Sequence, residues 1–142
     1  MQWRRDGQYI LVTMVPGDKL QEGLLQAARE AGVQAAEISG LGGVTNIELG
    51  LVKADMSGYT PTRFTGLWEL VSLTGNLSQL EGQPFLHLHA ALGGQGGEMR
   101  GGHLLEAEIS VTAEIFMRPL QEPLQRGTSP YFAGIKVWNF GT

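Results

Sequence analysis

From Ala107 to Met117 apolar side chains occupy every second position, while Glu106, Glu108, Ser110, Thr112 and Glu114 take the opposite face. Only an extended strand sends alternate residues to opposite faces, so this segment must be a β-strand with one buried face. Leu67, Val71, Leu73 and Leu77 repeat the same parity. The 21 glycines are scattered between apolar runs, as many strands joined by tight turns require.

On these signals strands are expected at Gln8–Met14, Val33–Ser39, Val44–Val52, Tyr59–Phe64, Leu67–Leu77, Phe85–Gly93, Met99–Met117 and Phe132–Trp138. Short connections favour antiparallel pairing. Leu20, Leu24, Ala27, Ala28 and Ala31 recur at helical spacing. Asp18 reads as the cap of that helix, Gln21 as its capping-box partner and Gly32 as its stop. The expected fold class is α+β, a mostly antiparallel β-sheet with one main packed α-helix. It forms a single domain over residues 1–142, with its core at about 8–117 and a C-terminal strand at about 132–138. Arg118–Pro130, with prolines at 119, 123 and 130, reads as a surface loop. Arg4 and Arg5 read as a solvated terminus. Ser39-Gly40-Leu41-Gly42-Gly43 reads as a tight turn, because a strand rather than a helix follows it.

The absence of cysteine excludes disulfides, thiolate metal sites and cysteine nucleophiles. No apolar run long enough for a signal peptide follows Met1–Asp6, and nothing approaches the roughly 20 apolar residues of a membrane span. A cytoplasmic protein with no membrane partner is the expectation. A net charge of −4 provides no broad positive field for a nucleic-acid backbone.

The whole histidine content lies in one short region, at His87, His89 and His103. His-x-His on a strand places two imidazoles on one face, about 6.5–7 Å apart. A three-residue loop of Gln95, Gly96 and Gly97 would pair Gly94 with Glu98 and, counting inward, His89 with His103. Three imidazoles around one point form a site for a divalent metal, zinc first. One conflict accompanies this register: Leu105, Ala107 and Ile109 would continue the histidine face, and they are apolar. Either a bulge lies near Leu105-Glu106 or both faces of the sheet are covered. Glu106, the carboxylate nearest in sequence, is the candidate base or imidazole partner.

The run Gly101-Gly102-His103-Leu104-Leu105-Glu106, preceded by Pro84-Phe85-Leu86-His87-Leu88-His89-Ala90 and by Leu73-Thr74-Gly75-Asn76, resembles the plant and prokaryote conserved (PPC) domain. The similarity reaches upstream through Ala36–Val44 and Glu48-Leu49-Gly50. The resemblance implies a homotrimer, with metal held in some prokaryotic members by histidines matching His87, His89 and His103. It also carries the label of predicted DNA-binding proteins. Yet the Arg-Gly-Arg-Pro peptide of the plant proteins is absent, and Leu67-Trp68-Glu69-Leu70 lacks the arginine of their Arg-Phe-Glu-Ile segment.

Three functions follow as expectations. The first is a homotrimeric module for a metal or small-molecule ligand. The second is a DNA-associated regulator, with strong DNA binding disfavoured by charge. The third is a metal-dependent hydrolase or lyase, with Glu106 acting on metal-bound water.

Overall fold

The structure, a computed structural model, describes residues 1–141. Nine strands and one helix run in the order β1 (Gln2–Asp6), β2 (Tyr9–Met14), α1 (Leu20–Ala31), β3 (Ala36–Val52), β4 (Tyr59–Phe64), β5 (Trp68–Leu80), β6 (Gln83–Gly93), β7 (Met99–Pro119), β8 (Gln125–Thr128) and β9 (Lys136–Trp138). All belong to one sheet, ordered β1-β2-β7-β3-β5-β8-β9, with β4 on β3 and β6 between β5 and β7. Because β6 pairs with both β5 and β7, and β3 does the same, these four long strands form a closed circuit of pairings. Every pairing is antiparallel except β5–β8, where Gln79 and Leu80 run parallel to Gln125 and Arg126.

The predicted alternation holds along most of β7 but fails at Val111, and at Leu67 and Val71 in and before β5, which are exposed; the register shifts at Gly42/Val44 and Leu70/Ser72 lie beside Val111 and Val71. Ala107, Ile109, Ala113, Ile115 and Met117 are buried, with Leu73 and Leu77 of β5 and Ile10, Val12 and Met14 of β2. Helix α1 adds Leu20, Leu24, Ala27 and Ala28 to the same core. Full burial of one such aliphatic side chain contributes about 1.5–3 kcal/mol, so this layer supplies most of the driving force for the fold.

Several expectations are corrected. Asp18 does not cap α1: its carboxylate accepts from the Val15 amide and pairs with the N-terminal amine at 2.8 Å. The cap position is Lys19, with no side-chain cap bond. Gln21 reaches away from the helix, its Nε2 donating to the carbonyls of Leu104 and Leu105. The stop is as predicted, with Gly32 left-handed at φ 68° and its N–H on the last helical turn. The two strands expected at Val33–Ser39 and Val44–Val52 are one, β3, and the supposed turn at Ser39–Gly43 is a register shift within it. The terminus carrying Arg4 and Arg5 is an edge strand, β1, where the consecutive charged residues Arg4, Arg5 and Asp6 are compatible with one-sided pairing. The loop expected at Arg118–Pro130 contains β8, and the last strand is only Lys136–Trp138.

The apolar conflict downstream of His103 is resolved by a bulge. Glu48 pairs with Glu106 while the next residue of β3, Leu49, pairs with Leu104, which leaves Leu105 as the extra residue of β7. Leu104 and Ala107 differ by three in sequence, yet both are buried; only an inserted residue permits that on a strand. The Gln21 amide occupies the bulge carbonyls, satisfying acceptors that irregular pairing would otherwise strand.

Candidate metal centre

The hairpin β6–β7 turns as its sequence foretold. The Gly94 amide donates to the Glu98 carbonyl at 2.8 Å, Gly97 takes φ 83°, and His89 stands directly opposite His103. Leu88, Ala90 and Leu92 of β6 point into the core, so His87 and His89 share the outer face. One ligand-capable atom of each of His87, His89 and His103 lies within 4.8 Å of the others. The ring centroids are 5.2–5.6 Å apart.

The neighbouring strand makes this approach possible. Gly75 of β5 pairs with Leu88, and a Cβ at Gly75 would collide with the His87 carbonyl and come within 2.9 Å of the Leu88 Cα. Only glycine lets β5 lie this close behind the His87 backbone. The residues flanking it, Thr74 and Asn76, pair with His89 and His87.

Two residues that the sequence motifs did not single out, Tyr59 and Arg126, complete the surroundings. Tyr59 of β4 stacks on His103, with centroids 4.5 Å apart and planes 10° from parallel. Arg126 of β8 places Nη2 at 3.2 Å from His87 Nδ1 and at 2.8 Å from Asn76 Oδ1. Its Nε donates to Ser78 Oγ, its Nη1 to the Lys136 carbonyl, and its guanidinium lies over the Phe85 ring at 5.2 Å. Burial, followed by the Arg126 charge, lowers the His87 pKa from 6.5 to about 4. Burial, with His89 next, also lowers that of His103.

These residues fit a divalent metal in kind and spacing. Neutral imidazoles are the form that coordinates, and metal–nitrogen bonds of about 2.0–2.1 Å in tetrahedral geometry would bring the three nitrogens to roughly 3.4 Å apart. The 4.8 Å spread of the ligand-capable atoms requires only modest closure. His103 Nδ1 is buried with no hydrogen-bond partner, an unsatisfied polar atom of the kind that marks an interaction still to be made. Glu106 is not part of the group: its carboxylate lies 3.7 Å from Lys19 Nζ, two β3 positions from the Gly50–His103 pair. A separate cavity of about 450 Å³ is lined by Trp3, Leu11, Phe116 and their neighbours on β1, β2 and β7, and by no histidine.

A β-rich α+β domain carrying three convergent imidazoles on the outer face of its sheet is thus defined. Residues 1–121 match the Plants and Prokaryotes Conserved (PCC) domain, and the chain belongs to that family. Its fold is similar to that of a plant- and prokaryote-conserved protein from Pyrococcus horikoshii, 31% identical with a TM-score of 0.84 over 97% of this chain and 93% of that one. A metal-containing protein from Archaeoglobus fulgidus is 27% identical, with a TM-score of 0.84 over 98% of this chain and 99% of its own. A Bacteroides thetaiotaomicron protein described as a candidate DNA-binding protein reaches 0.92 over 99% and 98%, at 24% identity, a likeness of fold alone. No curated protein matches the sequence.

Proposed function

We propose that this chain is a homotrimeric metal-binding module that holds one divalent ion, zinc first, on His87, His89 and His103. The observation that carries the reading is the convergence of the three ligand-capable atoms within 4.8 Å. The orphaned His103 Nδ1 supports it, as does the description of the Archaeoglobus relative as metal-containing. Zinc heads the candidates because the set is all imidazole, with no thiolate to select copper(I) and no carboxylate to favour magnesium or calcium. A bound ion would supply Lewis acidity at an open fourth position. The chain's own contribution is to keep the rings neutral by burial and to orient His103 against Tyr59.

The trimer rests on the outer face. Leu41, Val71, Val111 and Phe116 are each at least half exposed, an apolar display of the sort that marks association surfaces when contiguous. A cyclic arrangement would cover it with a heterologous interface that closes on itself.

Elemental analysis of protein purified without an affinity tag, followed by zinc titration, tests the metal. Close to one equivalent per chain is the expected result. Less than a tenth, with no uptake on titration, would discard the reading. For DNA the support is a description shared by relatives, set against a net charge of −4. Strong duplex binding is therefore not part of the proposal, and a salt-sensitive shift of duplex DNA between about 50 and 200 mM salt would restore it. Among the described residues no helix is long and apolar enough to cross a membrane.

A further inference from the structure

Arg126 lies on β8, outside the residues 1–121 that match the family. It reaches the histidines through the parallel β5–β8 pairing. A guanidinium carries five N–H donors and no acceptor. Its Nη2, 3.2 Å from His87 Nδ1, makes a hydrogen bond only if that nitrogen offers its lone pair. In a neutral imidazole the proton then sits on Nε2, where it blocks coordination.

Both routes by which His87 could ligate a metal collide with this contact. Coordination through Nδ1 takes the lone pair that Arg126 uses. Coordination through Nε2 moves the proton to Nδ1, so that two N–H groups face each other across 3.2 Å. Keeping both partners would require an imidazolate, formed by removing a proton that neutral imidazole holds far beyond neutral pH. The positive charge of Arg126 adds repulsion toward any dication at the same ring.

We infer that Arg126 gates the metal centre: the guanidinium and the divalent ion compete for His87, and coordination by all three histidines requires Arg126 to leave that ring. The inference rests on the metal reading proposed above. The gate is lightly sprung. Away from His87 the guanidinium still has Ser78 Oγ, the Lys136 carbonyl and Asn76 Oδ1 as acceptors, so only one hydrogen bond is exchanged for the metal. Arg126 thus acts as a positioning residue that sets the tautomer and availability of His87, weakening metal binding in the resting protein.

The test compares cobalt(II) titrations, followed by visible absorption, of the wild-type chain and of Arg126→Met, which lacks any donor. The variant should bind cobalt about tenfold or more tightly, the scale on which residues behind metal ligands alter affinity. Equal or weaker binding by a folded variant overturns the gate while leaving the metal reading intact. Failure of both proteins to bind removes both. Because loss of a buried arginine threatens folding, a second measurement uses the metal-free wild type alone. Nitrogen-15 spectra of the imidazoles should show His87 protonated at Nε2 and bare at Nδ1, and a proton on Nδ1 overturns the gate directly.

Discussion

Acid should loosen the metal-free protein as pH falls from 6.5 toward 4, and His87 should account for a measurable share. The ring's pKa is about 4 in the fold against an ordinary 6.5. The unfolded chain therefore binds more protons between those values, and stability rises with pH across that window. The contribution is fully present above pH 6.5 and disappears as pH falls toward 4. A difference of 2.5 between the two values, at about 1.36 kcal/mol per pH unit, gives an upper figure of about 3.4 kcal/mol. His87 is only partly buried, so solvent screening brings this to roughly half, 1.7 kcal/mol. His103, also lowered by burial, acts in the same direction. The carboxyls of Asp18 and Glu108, held below their ordinary 3.8 and 4.5, lose their contributions as pH falls below those ordinary values, which for Glu108 overlaps the acid end of the His87 window. Urea unfolding in the presence of a chelator, at intervals from pH 7.5 to about 4.5, measures the effect, with His87→Gln as the comparison. The variant's stability should fall less steeply by roughly 1–2 kcal/mol across the window. Parallel curves for the two proteins would refute the assignment of the lowered pKa to His87.

Other outcomes follow from packing and ligation. Gly75→Ala drives a methyl into the His87 carbonyl and should cost about 1–3 kcal/mol in urea unfolding, with loss of metal uptake as β5 and β6 separate. Leu88→Ala, at a fully buried position behind the two β6 histidines, should cost about 2–5 kcal/mol. His103→Ala removes a ligand and should weaken zinc binding, read by calorimetry, by more than the roughly 10–100-fold that outer partners are worth. The double variant Val71→Glu, Val111→Glu should lower the mass in sedimentation equilibrium from three times the 15.4 kDa of one chain to that of the monomer. A wild-type mass near 15.4 kDa would itself refute the trimer.

What the sequence made legible was local. The His89–His103 register follows from counting inward across a three-residue loop, whereas the apolar clash downstream left a bulge near Leu105-Glu106 and coverage of both faces equally open, and only the pairing of β3 with β7 decides for the bulge. The periodicity of β7 was plain because one face meets the core along most of its length. Hidden features depend on partners distant in sequence. Arg126 arrives on a four-residue strand between prolines, paired in parallel to a segment some 46 residues earlier; no period or motif marks it. Tyr59 reaches His103 because Gly50 separates their strands, and a Cβ at Gly50 would come to 3.0 Å from the Tyr59 Cβ. Gln21 looked like half of a capping box because its spacing from Asp18 fits one. Both side chains instead went to acceptors and donors that only the tertiary fold supplies, the bulge carbonyls and the N-terminal amine.

The order of the parts along the chain has a consequence for synthesis. All three histidines belong to one hairpin, and the strands that flank it, β3 and β5, precede it. Closing a short turn costs little entropy, and hairpins pair within about 1–10 μs. Translation proceeds at about 5–20 residues per second, with N-terminal parts folding first. Arg126 is therefore added roughly a second or more after His103, and β8 needs β5 in place before it can pair. On the proposed gate, a cation that meets the growing chain can find the three rings gathered before the guanidinium that would contest them has docked.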